Sequence, residues 1–174
     1  ITDEGHEESW ATNVLAYEAL TTALRPSVIA AAGRVVYVAS TRAGSLDEGD
    51  LLWTRRRWNG ITAYSQSKQA NRMLAWAWAR RLAGTGATIN VAHPGGVRTN
   101  IAHRQRGLWG VLNRLAFLTQ RSPARGADTV SWLAAGPELR GASGGFYRDR
   151  RPLRCQWADE VDAQERLWAR CQAD

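Results

Sequence analysis

Tyr64 and Lys68 stand four residues apart in Tyr64-Ser-Gln-Ser-Lys68, and Lys68 is the sole lysine among 23 basic residues. Arginine is bulky, planar and always charged, whereas lysine is a compact point charge with three rotatable donors. Residues four apart on a helix share a face, so this spacing sets an ammonium one turn from a phenol. An unperturbed phenol titrates near pH ~10, and a neighbouring cation favours its phenolate. Ser40 follows an apolar run, and its hydroxyl could hold a carbonyl oxygen while Tyr64 gives or takes the proton. Together these groups are equipment for reversible proton transfer at a carbonyl or alcohol oxygen. No side chain supplies hydride, so a nicotinamide cofactor is implied. Taken singly, each group has a plainer reading. Tyr64 and Lys68 make an ordinary helix-surface pair, Ser40 a loop-starting serine, and Pro94-Gly95 a common turn.

These residues need elements to position them. Thr2 and Asp3 precede an apolar-periodic stretch through Trp10, Val14, Leu15, Ala19, Leu20 and Leu24, which is predicted to be a helix with Pro26 near its end. Arg34 to Ala39 and Ala87 to Ala92 are short apolar, β-branched runs that suit strands buried on both faces of a parallel sheet. Ser40 to Gly60 reads as a long loop, and loops of this length are usually functional. Thr62 caps the helix bearing Tyr64 and Lys68, which stops at Gly84 or Gly86. His93-Pro94-Gly95-Gly96 breaks the second strand. Further elements are expected at Leu108 to Leu118 (short helix), from Pro123 through Ala134 (helix), at Gly144 to Tyr147 (strand) and at Ala158 to Cys171 (helix). Alternation of this kind argues for a parallel α/β sheet with right-handed crossovers. Ligands of such sheets bind beyond the carboxyl ends of the strands, where Ser40 and Pro94-Gly95 lie.

Length and composition bound the reading. The 174 residues are one domain's worth, 44% hydrophobic and 22% charged, with no apolar run of membrane-spanning length. A net charge of +7 admits a basic nucleic-acid-binding module. Acidic residues are interspersed throughout and no basic–aromatic repeat occurs, so a solvated arginine-rich surface is the better reading and no nucleic acid is expected. Arg55-Arg56-Arg57 is expected to be a solvated loop. Cys155 and Cys171 lack metal-ligand spacing and form no pattern with His6, His93 or His103. Neither a metal nor a disulfide is expected, and a reducing, cytoplasmic setting follows.

Asn13, Val-Tyr-Val-Ala-Ser40, Tyr64-x-x-x-Lys68 and His93-Pro94-Gly95-x-Val97-x-Thr99 together resemble a short-chain dehydrogenase/reductase. The long Ser40-to-Tyr64 gap, Ala124 to Leu133, Gly145-Phe-Tyr-Arg-Asp149 and Glu165-Arg-Leu-Trp168 are similar to the retinol-dehydrogenase-like branch. The resemblance implies an NAD(P)-dependent oxidoreductase acting on a small apolar alcohol, aldehyde or ketone, with NADP slightly favoured over NAD. It assigns general acid/base work to Tyr64. Lys68 would lower the phenol's pKa and bind the nicotinamide ribose, Ser40 would orient the substrate oxygen, and Asn13 would hold a water linking Lys68 to solvent. Pro94, Gly95, Val97 and Thr99 would line the nicotinamide side. The family's Gly-rich pyrophosphate turn and Asn-Asn-Ala-Gly-like segment do not occur in this sequence. The expectation is therefore a single incomplete domain over residues 1–174, the C-terminal part of a Rossmann-like doubly wound sheet with about three strands and flanking helices. Such a piece alone is expected to be inactive. Its first strand would be a raw edge, open to another chain, and a non-catalytic remnant that associates, including as a homo-oligomer, is the alternative.

Overall fold

The computed structural model describes residues 1–98 and 120–173. Helix α1 (Glu8–Trp10) passes through a π-helical turn (Ala11–Leu15) into α2 (Ala16–Ala30). Strand β1 (Arg34–Val38), α3 (Gly60–Arg81) and β2 (Thr88–Ala92) follow. Then come α4 (Pro123–Ala135), β3 (Phe146–Arg148), β4 (Arg151–Pro152) and α5 (Val161–Ala173).

The sheet runs β1-β2-β3-β4. Val38 is in register with Ala92, and Val91 with Phe146, both parallel. Strand β2 is buried throughout, as its unbroken apolar run demands. Alternation along the strands divides two cores. Tyr37, Ile89 and Val91 pack with Met73, Leu74 and Trp78 of α3 and Leu167 of α5. Val36 and Ala92 pack with Val130 and Leu133 of α4 on the opposite face. Helices thus cover both faces, as a doubly wound parallel sheet requires. Asn90 faces the α4 side without penalty, because its amide donates to Ala142 O at 2.8 Å and accepts from Gly145 N at 2.9 Å.

Several local details differ from the sequence expectations. The first helix starts at Glu8, because Glu7 rather than Thr2 or Asp3 caps it, its carboxylate accepting from Trp10 N at 2.8 Å. It also continues through Pro26 to Ala30; a proline forfeits one hydrogen bond there on a solvent-facing stretch. Asn59, not Thr62, caps α3, accepting from Ile61 N at 3.0 Å and Thr62 N at 3.1 Å. The fourth strand was not foreseen. Its hairpin turns on Asp149 and Arg150, both at positive φ (53° and 58°), in a type I′ pattern usually signalled by Asn-Gly or Asp-Gly. The expected helix at Leu108 to Leu118 and Thr99 lie outside the described residues. Among those described, no helix is long and apolar enough to cross a membrane.

Candidate active site

Helix α3 carries the site on one stripe, Tyr64, Lys68 and Arg72, each a turn apart. Tyr64 sits at the mouth, 38% exposed, while Lys68 is buried at 8%. Lys68 Nζ lies 5.8 Å from the Tyr64 ring centroid and 5.7 Å from that of Tyr17. It donates to the carbonyl of Val38 at 3.0 Å. Burial pushes its pKa down to about 8, by penalising the charged form.

Ser40 follows β1 and is buried. Its Oγ accepts from Arg42 N at 3.0 Å, which leaves its hydroxyl proton available to donate. Its carbonyl accepts from the Arg72 guanidinium. Arg72 stacks on Phe146 at 4.4 Å and reaches Cys155 Sγ at 3.2 Å, tying the Ser40 turn to α3 and β3. Sequence reasoning missed Arg72, although its place eight residues after Tyr64 on an otherwise buried helix was a readable signal.

Asn13 lies in the π-helical turn. Single π turns free a carbonyl from the helical ladder, and here the Asn13 carbonyl accepts from Asn71 Nδ2 at 2.6 Å. The Asn13 amide donates to Ser67 Oγ at 3.0 Å, and Ser67 donates to Tyr64 O at 2.8 Å. Asn13 is therefore joined to α3 within one turn of both Tyr64 and Lys68. Ser67 and Asn71, on the same stripe of α3, were not singled out from sequence.

At the end of β2, His93 Nδ1 accepts from Thr41 N at 3.4 Å and Nε2 pairs with Thr41 Oγ1 at 3.2 Å. Burial, reinforced by Arg148, holds its pKa below the usual imidazole value, so the neutral ring clips the two strand ends together. Gly95 sits at φ +81°, where a Cβ would come within 3.0 Å of Arg121 Nε. Val97 bridges Arg121, and a Cβ on Gly126 of α4 would lie 2.4 Å from Val97 Cγ2. The glycines thus let α4 and the Arg121 side chain close on this turn. Ser40, Pro94, Gly95 and Val97 all lie beyond the carboxyl ends of adjacent parallel strands. The structure brings Asn13, Tyr64 and Lys68 together around α3, and sets Ser40 and the Pro94 turn at the strand ends beside them.

The loop from Thr41 to Asn59 is ordered by Asp50, whose carboxylate accepts from the N–H groups of Thr54, Arg55 and Arg56. Burial opposes ionisation of Asp50, but these donors outweigh it and hold its pKa below the usual range. Arg56 is not a solvated loop residue. It stacks on Trp53 at 3.9 Å and donates to Gln66 Oε1 at 2.6 Å.

A doubly wound sheet with a Tyr–Lys pair at its carboxyl edge defines a class of dehydrogenase-like α/β proteins. The chain matches the family described as short chain dehydrogenase over residues 1–107, and it belongs to that family. It is 32% identical over 178 residues to human retinol dehydrogenase 13, covering 97% of this chain and 54% of that protein. This similarity puts it in the retinol-dehydrogenase-like part of the family. A solved structure of a protein from Mycobacterium Paratuberculosis superposes with a TM-score of 0.73 at 28% identity, covering 99% of this chain and 60% of that one. NADPH-bound carbonyl reductase from chicken fatty liver shares the fold, with a TM-score of 0.58 at 20% identity over 85% of this chain and 56% of that one. The chain spans about half the length of the curated relatives it matches.

Proposed function

We propose that the protein is an NAD(P)-dependent oxidoreductase that interconverts an alcohol and its carbonyl compound, with Tyr64 as general acid/base. The observation that carries this reading is the half-exposed Tyr64 ring with the buried Lys68 ammonium 5.8 Å away on the same helix face. The residues present fit the nicotinamide half of such a cofactor. Lys68 and Tyr64 are donors suited to ribose hydroxyls, and Pro94, Gly95 and Val97 form a turn at the neighbouring strand end. Thr99, on the same segment, is assigned to this side by resemblance. When bound, the cofactor supplies or accepts the hydride.

The chain's own residues handle the oxygen. Ser40 Oγ, already accepting from Arg42 N, donates its proton to the substrate carbonyl and orients it. Tyr64 delivers a proton to that oxygen on reduction and withdraws it on oxidation. The nearby ammonium stabilises the oxyanion that Tyr64 leaves behind. Asn13, through Ser67 and Asn71, holds the α3 turn that carries both groups. Replacing Tyr64 by Phe in the full-length protein tests the assignment. NADPH binding should persist while kcat falls by roughly 10²- to 10⁴-fold; turnover at the normal rate would overturn it.

A further inference from the structure

Trp58 is fixed in place and yet left in water. Its indole N–H donates to Glu7 Oε1 at 3.2 Å, and buried Glu7 is itself held by Trp10 N at 2.8 Å. The ring lies against Gly60, where a Cβ would stand 2.8 Å from Trp58 Cη2. Despite these two restraints the side chain is 60% exposed. An aromatic ring anchored through its indole N–H and left exposed forgoes the free energy of its own burial. That pattern suits a face kept ready for a ligand. Trp58 walls a cavity of about 690 Å³ together with Arg42, Asn59, Gly60, Ile61 and Tyr64. The guanidinium of Arg42 has no ion-pair partner among the described residues. Asn59 Oδ1 already takes the first N–H groups of α3. The positive charge on this wall therefore belongs to Arg42, two residues from Ser40.

Resting on the oxidoreductase reading, we propose that this cavity is the substrate subsite and that it takes a flat apolar carbonyl compound carrying an anionic group. The planar body lies on Trp58 and beside Ile61, the carbonyl end meets Tyr64, and the anion pairs with Arg42. Trp58 and Arg42 are then the residues that set specificity.

The test uses the full-length protein with NADPH and three aldehydes: 4-carboxybenzaldehyde, methyl 4-formylbenzoate and butanal. The carboxylated aldehyde should exceed its methyl ester in kcat/KM by at least about tenfold, and Arg42→Leu should bring that ratio to about one. Trp58→Ala should lower kcat/KM for both ring aldehydes at least about tenfold relative to butanal. Equal values for acid and ester in the parent protein, or a ratio unmoved by Arg42→Leu, would overturn the subsite. Loss of turnover in Tyr64→Phe would in that case leave the oxidoreductase reading standing. Should no aldehyde turn over, binding of 4-carboxybenzaldehyde by saturation-transfer NMR decides the subsite separately. A signal that weakens in Arg42→Leu supports it, and no signal, or one unmoved, refutes it.

Discussion

Lys68 concentrates the electrostatics of the site in one titratable group. The residue is 8% exposed, and among the described residues its ammonium donates to one carbonyl, that of Val38. With a folded pKa of about 8 against 10.5 for an unburied lysine, the folded chain releases this proton first. The sign follows from linkage. The cost of burying the charge is fully present below about pH 8 and fades as pH rises to 10.5, so this group's contribution to stability improves across that window. Because Lys68 is the sole lysine, ¹³Cε-lysine labelling yields one side-chain resonance. Its midpoint in the ligand-free protein should fall near 8; a midpoint at the ordinary lysine value would contradict the burial argument. Lys68→Arg in the full-length protein should lower kcat by at least about tenfold, since the planar guanidinium cannot occupy the ammonium's position. Unchanged kcat would remove Lys68 from its role.

At the level of elements, two contacts set how helices meet the sheet. Gly126 of α4 lies where any Cβ would enter the Val97 side chain at 2.4 Å. Gly126→Ala should therefore destabilise by about 1–3 kcal/mol through overpacking. Val97→Ala in the same chain should recover most of that loss in urea unfolding, and failure to recover would place the strain elsewhere. Glu18 of α2 is buried and accepts from Trp78 Nε1 at 2.9 Å and from Tyr37 OH and Gln172 Nε2, each at 3.3 Å. Burial pushes its pKa up to about 7 from 4.5. The folded state thus holds this proton more tightly, and its stabilising contribution is complete below pH 4.5 and lost as pH rises through about 7. Urea midpoints measured at either end of this window should fall with pH in the parent chain, and the fall should be smaller in Glu18→Gln.

Over the whole molecule, the sheet ends at β1, which pairs only with β2 among the described strands. The outer edge of Val38 is already occupied at its carbonyl, which accepts from Lys68 at 3.0 Å. Further along that edge an apolar hollow of about 320 Å³ opens between α2 and β1, lined by Leu20, Leu24, Val28 and Val35. The sequence holds no Gly-rich strand-to-helix turn to receive a pyrophosphate at a helix N-terminus. The isolated 174-residue chain should accordingly show no saturable NADPH binding below roughly 1 mM in a fluorescence titration. Micromolar binding would show that the nicotinamide-side residues suffice.

Periodicity and punctuation determined much of this protein locally. The apolar runs at 34–39 and 87–92 suited strands, and the i, i+4 spacing of Tyr64 and Lys68 put both on one helix face; β2 is buried throughout as expected, whereas β1, at the end of the sheet, is only half-buried apart from Tyr37. Those features were legible because they depend on neighbours in the chain. Asn59 in place of Thr62 as a cap, and the Asp149-Arg150 hairpin, were not, because either asparagine or threonine can cap and Asp-Arg carries no strong turn preference. Only the tertiary structure decided the long-range ties: Arg72 onto Ser40, Asn71 onto Asn13, Lys68 onto Val38 and Trp58 onto Glu7. The physical reason is that a hydrogen bond across 30 to 58 residues is set by how helices dock on the sheet, which no local spacing encodes.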